Sequence, residues 1–338
     1  MLTIVIPTRN RSERLFHLIK SFEKINKTNF NWEVLVIDNS STDSTRDIVK
    51  ELSNSLNFKI NYYYEKNIGL HYARNSGVRE SKTQYLVFLD DDMLVTNTWL
   101  DDFDLLLNGK TDAYVGKILP YWESRPPWWL KILTFDGNYP YLGLLDLGNK
   151  NKEIEPINLY GGNLFIKREI ILKLKGFNPD GFPTELIRFR GDGEGGLMKK
   201  FKLSNFRAQY VPSATVYHVM SSSRTNLEYL CKRAYNEGIS NSFTIIREKN
   251  KKDNTQRYNN KFKKIIKIIS FNRVIRFLIE DLLLINIKKK IKKKLKEGFD
   301  FHQNEVKNDK KLYNYVLKES FLNDWNYKVQ KKNLCDYS

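Results

Sequence analysis

Within the first 92 residues, apolar runs of strand length alternate with stretches whose apolar residues recur at helical spacing. That alternation restricts the chain to an α/β architecture. Leu2–Pro7, Glu33–Ile37, Lys59–Tyr64 and Tyr85–Leu89 read as strands. Between them, Leu15, Leu18, Ile19 and Phe22 mark one helix, and Ile48, Val49 and Leu52 mark a second, capped at Ser41 or Thr42. Asn67-Ile-Gly69 opens a third helix that runs through Gly77. The order predicts a mostly parallel sheet with right-handed crossovers, whose ligands sit beyond the carboxyl ends of the strands. Pro7-Thr8-Arg9, Asp38, Asn67 and Asp90-Asp91-Asp92 all fall at those ends.

The aspartate run carries the most chemistry. Three carboxylates directly after an apolar strand repel one another and lose hydration, so the cluster calls for a cation. Side chains alternate along an extended chain, so Asp90 and Asp92 point the same way, giving a two-carboxylate grip for a divalent ion with positions open to phosphate oxygens. Arg74, about two turns into the third helix, is placed to reach a phosphate. Gly69 permits a close backbone approach or an unusual dihedral.

After Asp92 the periodicity loosens. Residues 120–150 are rich in Trp, Pro, Tyr and Gly, including Trp128 and Trp129. Asn158–Lys167 reads as a strand through Gly161-Gly162-Asn163, and a Gly-rich acidic turn, Gly191–Gly196, precedes a helix starting at about Leu197. Ala208–His218 is a further strand, and helices dominate beyond it.

The chain has 338 residues and a formal charge of +18, of which residues 247–297 contribute +13 from 18 Lys/Arg against 5 Asp/Glu. Two distant cysteines, Cys231 and Cys335, give no disulfide framework and fit a reducing compartment. The short apolar start lacks the basic lead of a signal peptide, and no run has the uncharged length of a membrane span. The expected location is cytoplasmic. In the basic region Phe277, Leu284, Ile287, Ile291 and Leu295 roughly follow a helical stripe flanked by Lys288–Lys290 and Lys292–Lys294. Such a helix makes the inner face of an anionic membrane a candidate partner. Nucleic acid is not expected, because no recognition module accompanies the charge.

Taken in order, the pieces resemble a family 2 glycosyltransferase of the GT-A fold. They are Ile4–Asn10, Val36–Asp43, Asn67–Leu70 with Ala73-Arg74-Asn75, Phe88–Asp92, Gly161-Gly162-Asn163, the 191–196 turn and Tyr217-His218. The resemblance covers roughly 1–240, with a donor half to about 117 and an acceptor half from 118; 241–338 would be a basic helical extension. It implies an inverting transferase moving a sugar from a nucleotide-diphosphate donor, by default a UDP-sugar, to a hydroxyl of a glycan or lipid-linked acceptor. Surface polysaccharide or glycoconjugate assembly would be its setting. The resemblance makes Pro7, Thr8, Arg9 and Asp38 the donor's base and ribose pocket, with Asn67, Gly69, Arg74, Asp90 and Asp91 on the donor side. It makes Asp92, with Asp90 and His218, the ligands of Mn2+ or Mg2+.

The family's base sits near the start of a helix. Matching Leu197 and Lys200 to the family pattern selects Glu194, whereas residue type and the preceding Gly select Asp192; one serves as base and the other positions it or the acceptor. Gly161, Gly162 and Asn163 are expected to line the acceptor cleft, with Trp128 and Trp129 in a lid or, equally, closing the core. Two rival readings stand beside this one. A sugar nucleotidylyltransferase would want a Gly-rich basic loop after the first strand, which Pro7-Thr8-Arg9-Asn10 is not. A non-enzymatic membrane or nucleic-acid adaptor would act through the basic tail.

Overall fold

A computed structural model describes residues 1–133, 140–252 and 278–323. Cys335, Phe277 and the basic stretch 253–277 lie outside the described residues. Two compact units are present: Met1–Asn226 with Lys318–Ser338, and Leu227–Leu317. The boundary lies at 226/227 rather than at 240, because one helix runs unbroken from Leu227 to Lys252.

The first unit opens with β1 (Leu2–Thr8), α1 (Ser12–Ser21), β2 (Trp32–Asp38), α2 (Thr45–Ser55), β3 (Ile60–Tyr64), α3 (Leu70–Glu80) and β4 (Tyr85–Leu89). β1 pairs in parallel with β2 and β4, and β2 with β3. β1 is buried along its whole length and β2 along all but Trp32, as expected for strands covered on both faces. Register places Thr8 opposite Asp38 and Asp38 opposite Tyr64, so the polar residues form one row at the carboxyl edge. Leu15, Leu18 and Ile19 of α1 and Val49 and Leu52 of α2 supply the buried faces read from their spacing. The second helix begins later than expected. Ser44 occupies its N-cap, and Asp43, not Ser41 or Thr42, accepts the Thr45 N–H at 3.1 Å.

Beyond β4 the sheet becomes mixed. It adds β5 (Met93–Val95), β6 (Ala113–Trp122), β7 (Lys152–Glu153), β8 (Asn163–Lys167) and β9 (Ala208–Met220), interleaved with α4 (Asp104–Leu107), α5 (Trp128–Leu133), α6 (Arg168–Lys173) and α7 (Gly193–Leu203). The strand order is β3-β2-β1-β4-β8-β6-β9-β5, with β7 on β9. β8 runs antiparallel to both β4 and β6, and β6 runs parallel to β9. β8 starts at Asn163, not at Asn158: residues 156–158 form a 3-10 turn and Gly161-Gly162 a bend ahead of the strand.

Asn163 is part of the core and not of a cleft wall. Its side chain is fully buried, accepts the Trp99 indole N–H at 2.9 Å and donates to Ala214 O at 2.8 Å. Both ends of the amide are used, one on the turn that carries Trp99 and the other on β9. Asn163→Ala leaves the indole N–H and the carbonyl unpaired and is expected to lower unfolding free energy by about 2–4 kcal/mol in chemical denaturation.

In the second unit α8 (Leu227–Lys252) packs along α9 (Leu278–Asn308), followed by α10 (Lys310–Leu317). Leu284, Ile287 and Ile291 are buried, and Leu295 is partly so. The apolar stripe read from the sequence is thus spent inside this unit, while Lys288–Lys290 and Lys292–Lys294 remain exposed. Among the described residues, no helix is long and apolar enough to cross a membrane.

Candidate active site

The carboxyl edge of β1, β2 and β4 gathers the polar residues that the sequence singled out, with partners it did not disclose. Chain direction changes at Leu89: Asp90–Asp92 form a turn into β5 and do not extend β4. Strand alternation therefore does not apply, and Asp90 and Asp92 are not a matched pair. Instead Asp91 and Asp92 share Arg11, whose NH1 lies 2.8 Å from Asp91 Oδ1 and 2.9 Å from Asp92 Oδ2. Thr8 Oγ1 donates to Asp91 Oδ2 at 2.8 Å. Burial pushes the Asp91 carboxyl up to about 6, against the pull of Arg11.

Asp92 is held at one oxygen and approaches His218 with the other. Arg224 NH2 lies 2.6 Å from Oδ2, and His218 Nε2 lies 3.2 Å from Oδ1. Burial opposes its ionisation, while the Arg224 and Arg11 guanidiniums favour it. β9 brings His218 there by pairing it with Met93, directly after the aspartates.

Asp90 turns the other way. Its Oδ1 accepts Arg74 NH2 at 3.0 Å, while Arg74 NH1 lies 3.1 Å from Glu194 Oε2. Arg74 is only 4% exposed at its side chain, so it bridges two carboxylates from beneath and is not placed to meet a phosphate in solvent. Gly161 N–H donates to the same Glu194 oxygen at 2.7 Å. A Cβ on Gly161 would collide with that oxygen and lie 2.8 Å from Arg74 Cζ; one on Gly162 would lie 2.9 Å from Asp90 Oδ2. The two glycines thus let the 161–162 bend close over the Asp90–Arg74–Glu194 group.

α7 starts at Gly193, four residues before the expected position, so Asp192 is its N-cap and Glu194 sits in its first turn. This separates the two candidate bases. Asp192 Oδ1 accepts Asn178 Nδ2 at 2.7 Å, whereas Glu194 joins Arg74 and Gly161. Burial raises the Glu194 carboxyl above its ordinary value, with Asp90 and Asp180 adding to the effect and Arg74 opposing it.

At the carboxyl end of β2, Asp38 is 2% exposed. Its Oδ1 accepts Ser41 N–H at 2.8 Å and its Oδ2 accepts Tyr62 O–H at 2.6 Å. Asn39 ties this edge to the next loop by accepting Gly69 N–H at 2.8 Å and donating to Asn67 O at 2.6 Å. Gly69 adopts φ +148°, a region that favours glycine. Glu65 Oε1 holds Asn67 through its backbone N–H and side-chain amide, both at 2.8 Å. Pro7 is buried, while Arg9 is partly exposed and makes no ion pair among the described residues. Trp128 and Trp129 open α5, the first exposed and the second half-buried; the adjoining residues 134–139 lie outside the described residues.

The fit to a divalent ion rests on two protein atoms. Asp92 Oδ1 is buried with no hydrogen bond and faces His218 Nε2. Ligand atoms about 2.1 Å from an ion and at right angles lie about 3.0 Å apart, close to the spacing of this pair. Among the described residues no group of three His, Cys, Asp or Glu side chains gathers at ligating distance, since Asp90 is drawn to Arg74. Asp92 and His218 therefore fit an ion that completes its shell with phosphate oxygens and water.

Arg11, Arg224, Asn39, Tyr62 and Glu65 went unassigned in the sequence. Arg11 and Arg224 carried only weak signals, lying two residues after Arg9 and six after His218.

The glycosyltransferase GlyA of Streptococcus pneumoniae serotype 4 is 28% identical over 133 residues, 39% of this chain and 19% of GlyA. A glucosyl-dolichyl phosphate glucuronosyltransferase of Haloferax volcanii is 21% identical over 210 residues, 61% of this chain and 65% of that protein. This chain thus spans only about a fifth of GlyA. Among solved structures, a Pyrobaculum calidifontis mannosyltransferase with GDP-Man and Mn2+ superposes at TM-score 0.51 and 15% identity, covering 97% of this chain and 88% of that one. At that identity the likeness concerns the fold, which is GT-A. The model of the family described as Glycosyl transferase family 2 matches residues 3–174, the stretch running from β1 through the aspartate turn and β8; the chain belongs to that family.

Proposed function

We propose that this protein is a metal-dependent, inverting glycosyltransferase that moves a sugar from a nucleotide-diphosphate donor to a hydroxyl acceptor. The observation that carries the reading is the Asp90–Arg74–Glu194 bridge, which couples the donor-side aspartate turn to a carboxylate in the first turn of α7. Family membership favours glycosyl over nucleotidyl transfer.

Pro7, Thr8, Asp38 and Gly69 form the buried edge against which the nucleoside rests, and Arg9 offers an unpaired guanidinium to its diphosphate. Asp92 and His218 would hold Mn2+ or Mg2+, which supplies Lewis-acid stabilisation to the departing diphosphate. The acceptor oxygen attacks the anomeric carbon as the bond from that carbon to the diphosphate oxygen breaks. The incoming oxygen arrives on the opposite face, so configuration inverts. Glu194 takes the acceptor's proton, and its raised affinity for protons suits that task. Arg74 and Gly161 N–H hold the carboxylate in place and bias one oxygen toward them, leaving the other for the acceptor. The 161–162 bend and the Trp128–Trp129 helix border the acceptor side.

A lipid-linked or glycan acceptor of surface-polymer assembly is in keeping with the dolichyl phosphate substrate named for the Haloferax relative. Calorimetry with a panel of UDP- and GDP-sugars in Mn2+ tests the donor site. At least one should bind, and Asp92→Asn should weaken it about ten-fold or more. Binding that is indifferent to both Mn2+ and Asp92 sinks the metal-held donor.

Exposed Lys288, Lys289, Lys292 and Lys293 on α9 support adsorption to anionic membrane by charge alone, because the apolar stripe is already buried. Sedimentation with phosphatidylglycerol vesicles should fall as salt rises through 0.5 M or so, and salt-resistant binding would count against this mode.

A further inference from the structure

We propose that Arg224 is an internal cation that competes with the divalent ion for Asp92 and His218, so that it sets the metal affinity of the site. This rests on the metal reading above and adds a residue that governs it.

The geometry begins with a proton count. Arg224 NH1 lies 2.8 Å from His218 Nε2. A guanidinium has only donors, so Nε2 must present its lone pair and the ring proton must sit on Nδ1. The His218 ring therefore donates nothing to Asp92 Oδ1, in keeping with the lack of a hydrogen bond at that buried oxygen, and the buried Nδ1 likewise has no partner. Nε2 and Asp92 Oδ1 lie 3.2 Å apart, with Arg224 straddling the arrangement through NH1 on His218 and NH2 on Asp92 Oδ2 at 2.6 Å. Nε2 has one lone pair. An ion that takes it must displace Arg224 NH1, so the ion and this contact exclude each other.

Charge leads to the same result. Asp91 and Asp92 are two carboxylates held by two guanidiniums, Arg11 and Arg224. The cluster is already balanced, and a divalent ion entering alone adds two uncompensated positive charges. An ion entering with a nucleoside diphosphate brings its own counter-charge and gives Arg224 NH1 a new acceptor in place of the imidazole. Arg224 thus disfavours the bare ion and favours the ion–diphosphate pair. Its place supports such a change of partner: it ends the short Ser222–Arg224 turn after β9, whose Ser222 and Ser223 are exposed.

The test is direct titration of the full chain with Mn2+ alone, read by electron paramagnetic resonance of free Mn2+. Wild type, Arg224→Gln, Arg224→Lys and His218→Asn are compared, with thermal melts to establish that each is folded. Arg224→Gln should bind Mn2+ at least about five-fold more tightly than wild type, because one positive charge and one competitor for Nε2 are gone. Arg224→Lys, which keeps the charge but cannot straddle both acceptors, should fall between them. His218→Asn should bind more weakly than wild type. Equal or weaker binding by Arg224→Gln, with His218→Asn still impaired, overturns the competition and leaves the metal site standing. Absence of Mn2+ binding in every variant overturns both.

Discussion

Replacing Glu194 by Gln is expected to lower kcat by about 10²–10⁴-fold, the range for loss of a positioned general base, while nucleotide diphosphate binding changes little. Gln keeps the shape and can still accept from Gly161 N–H and Arg74, the two partners of Glu194 Oε2. What it loses is the ability to take a proton. Asp192→Asn should have a much smaller effect on kcat, because Asp192 accepts from Asn178, whereas Glu194 is the carboxylate that Arg74 and Gly161 hold. A larger loss at Asp192 than at Glu194 would reverse the assignment. The pH dependence carries a sign as well. A base works when deprotonated, so activity falls as pH drops through its pKa. Burial, reinforced by Asp90 and Asp180, raises Glu194 above its ordinary 4.5, so the acidic limb of kcat should lie above that value. Asp90→Asn removes one of the charges that raise it and should move the limb to lower pH.

Arg74→Ala should cost both stability and catalysis. The guanidinium is 4% exposed and joins Asp90 and Glu194, which are 33% and 30% exposed at their side chains. Removing the bridge leaves two like charges without the cation they share. Complete burial would cost about 3–5 kcal/mol, and partial exposure reduces that to about 2–3 kcal/mol in chemical denaturation. Catalysis should suffer beyond the stability loss, because Gly161 N–H alone then holds the Glu194 carboxylate and its tie to Asp90 through Arg74 is gone. Arg74→Lys separates the two effects. A single ammonium retains charge but cannot reach both carboxylates in fork geometry, so it should recover most of the stability and little of kcat. Recovery of full kcat by Arg74→Lys would show that charge alone suffices and that the bridge does not position the base.

The α/β alternation of residues 1–92 was legible because β1 and β2 are buried runs and α1 and α2 carry plain apolar faces. Their carboxyl ends located the site for the same reason. Contacts between residues distant in sequence were not legible. Arg224 reaches Asp92 across 132 positions, and Arg74 reaches Glu194 across 120, so no local pattern could announce either pair. Asn163 looked like a cleft residue because it follows two glycines, but β8 begins there and turns the amide inward to Trp99 and Ala214. The Asp90–Asp92 alternation failed because the chain turns at the end of β4 instead of continuing. The apolar stripe of α9 is visible in the spacing of Leu284, Ile287 and Ile291, yet periodicity alone does not say what covers it; in the second unit these three side chains are buried.

The central claim is that a nucleotide-activated sugar is held at the aspartate turn and reacts beside Glu194. It is tested most directly by following release of nucleoside diphosphate from a panel of nucleotide sugars in Mn2+, with wild type, Asp92→Asn and Glu194→Gln side by side. Slow transfer to water lets this be read without the acceptor. Wild type should cleave at least one donor, Asp92→Asn should bind it about ten-fold or more weakly and cleave it poorly, and Glu194→Gln should bind it but not cleave it. Cleavage that proceeds equally in all three proteins would contradict the account.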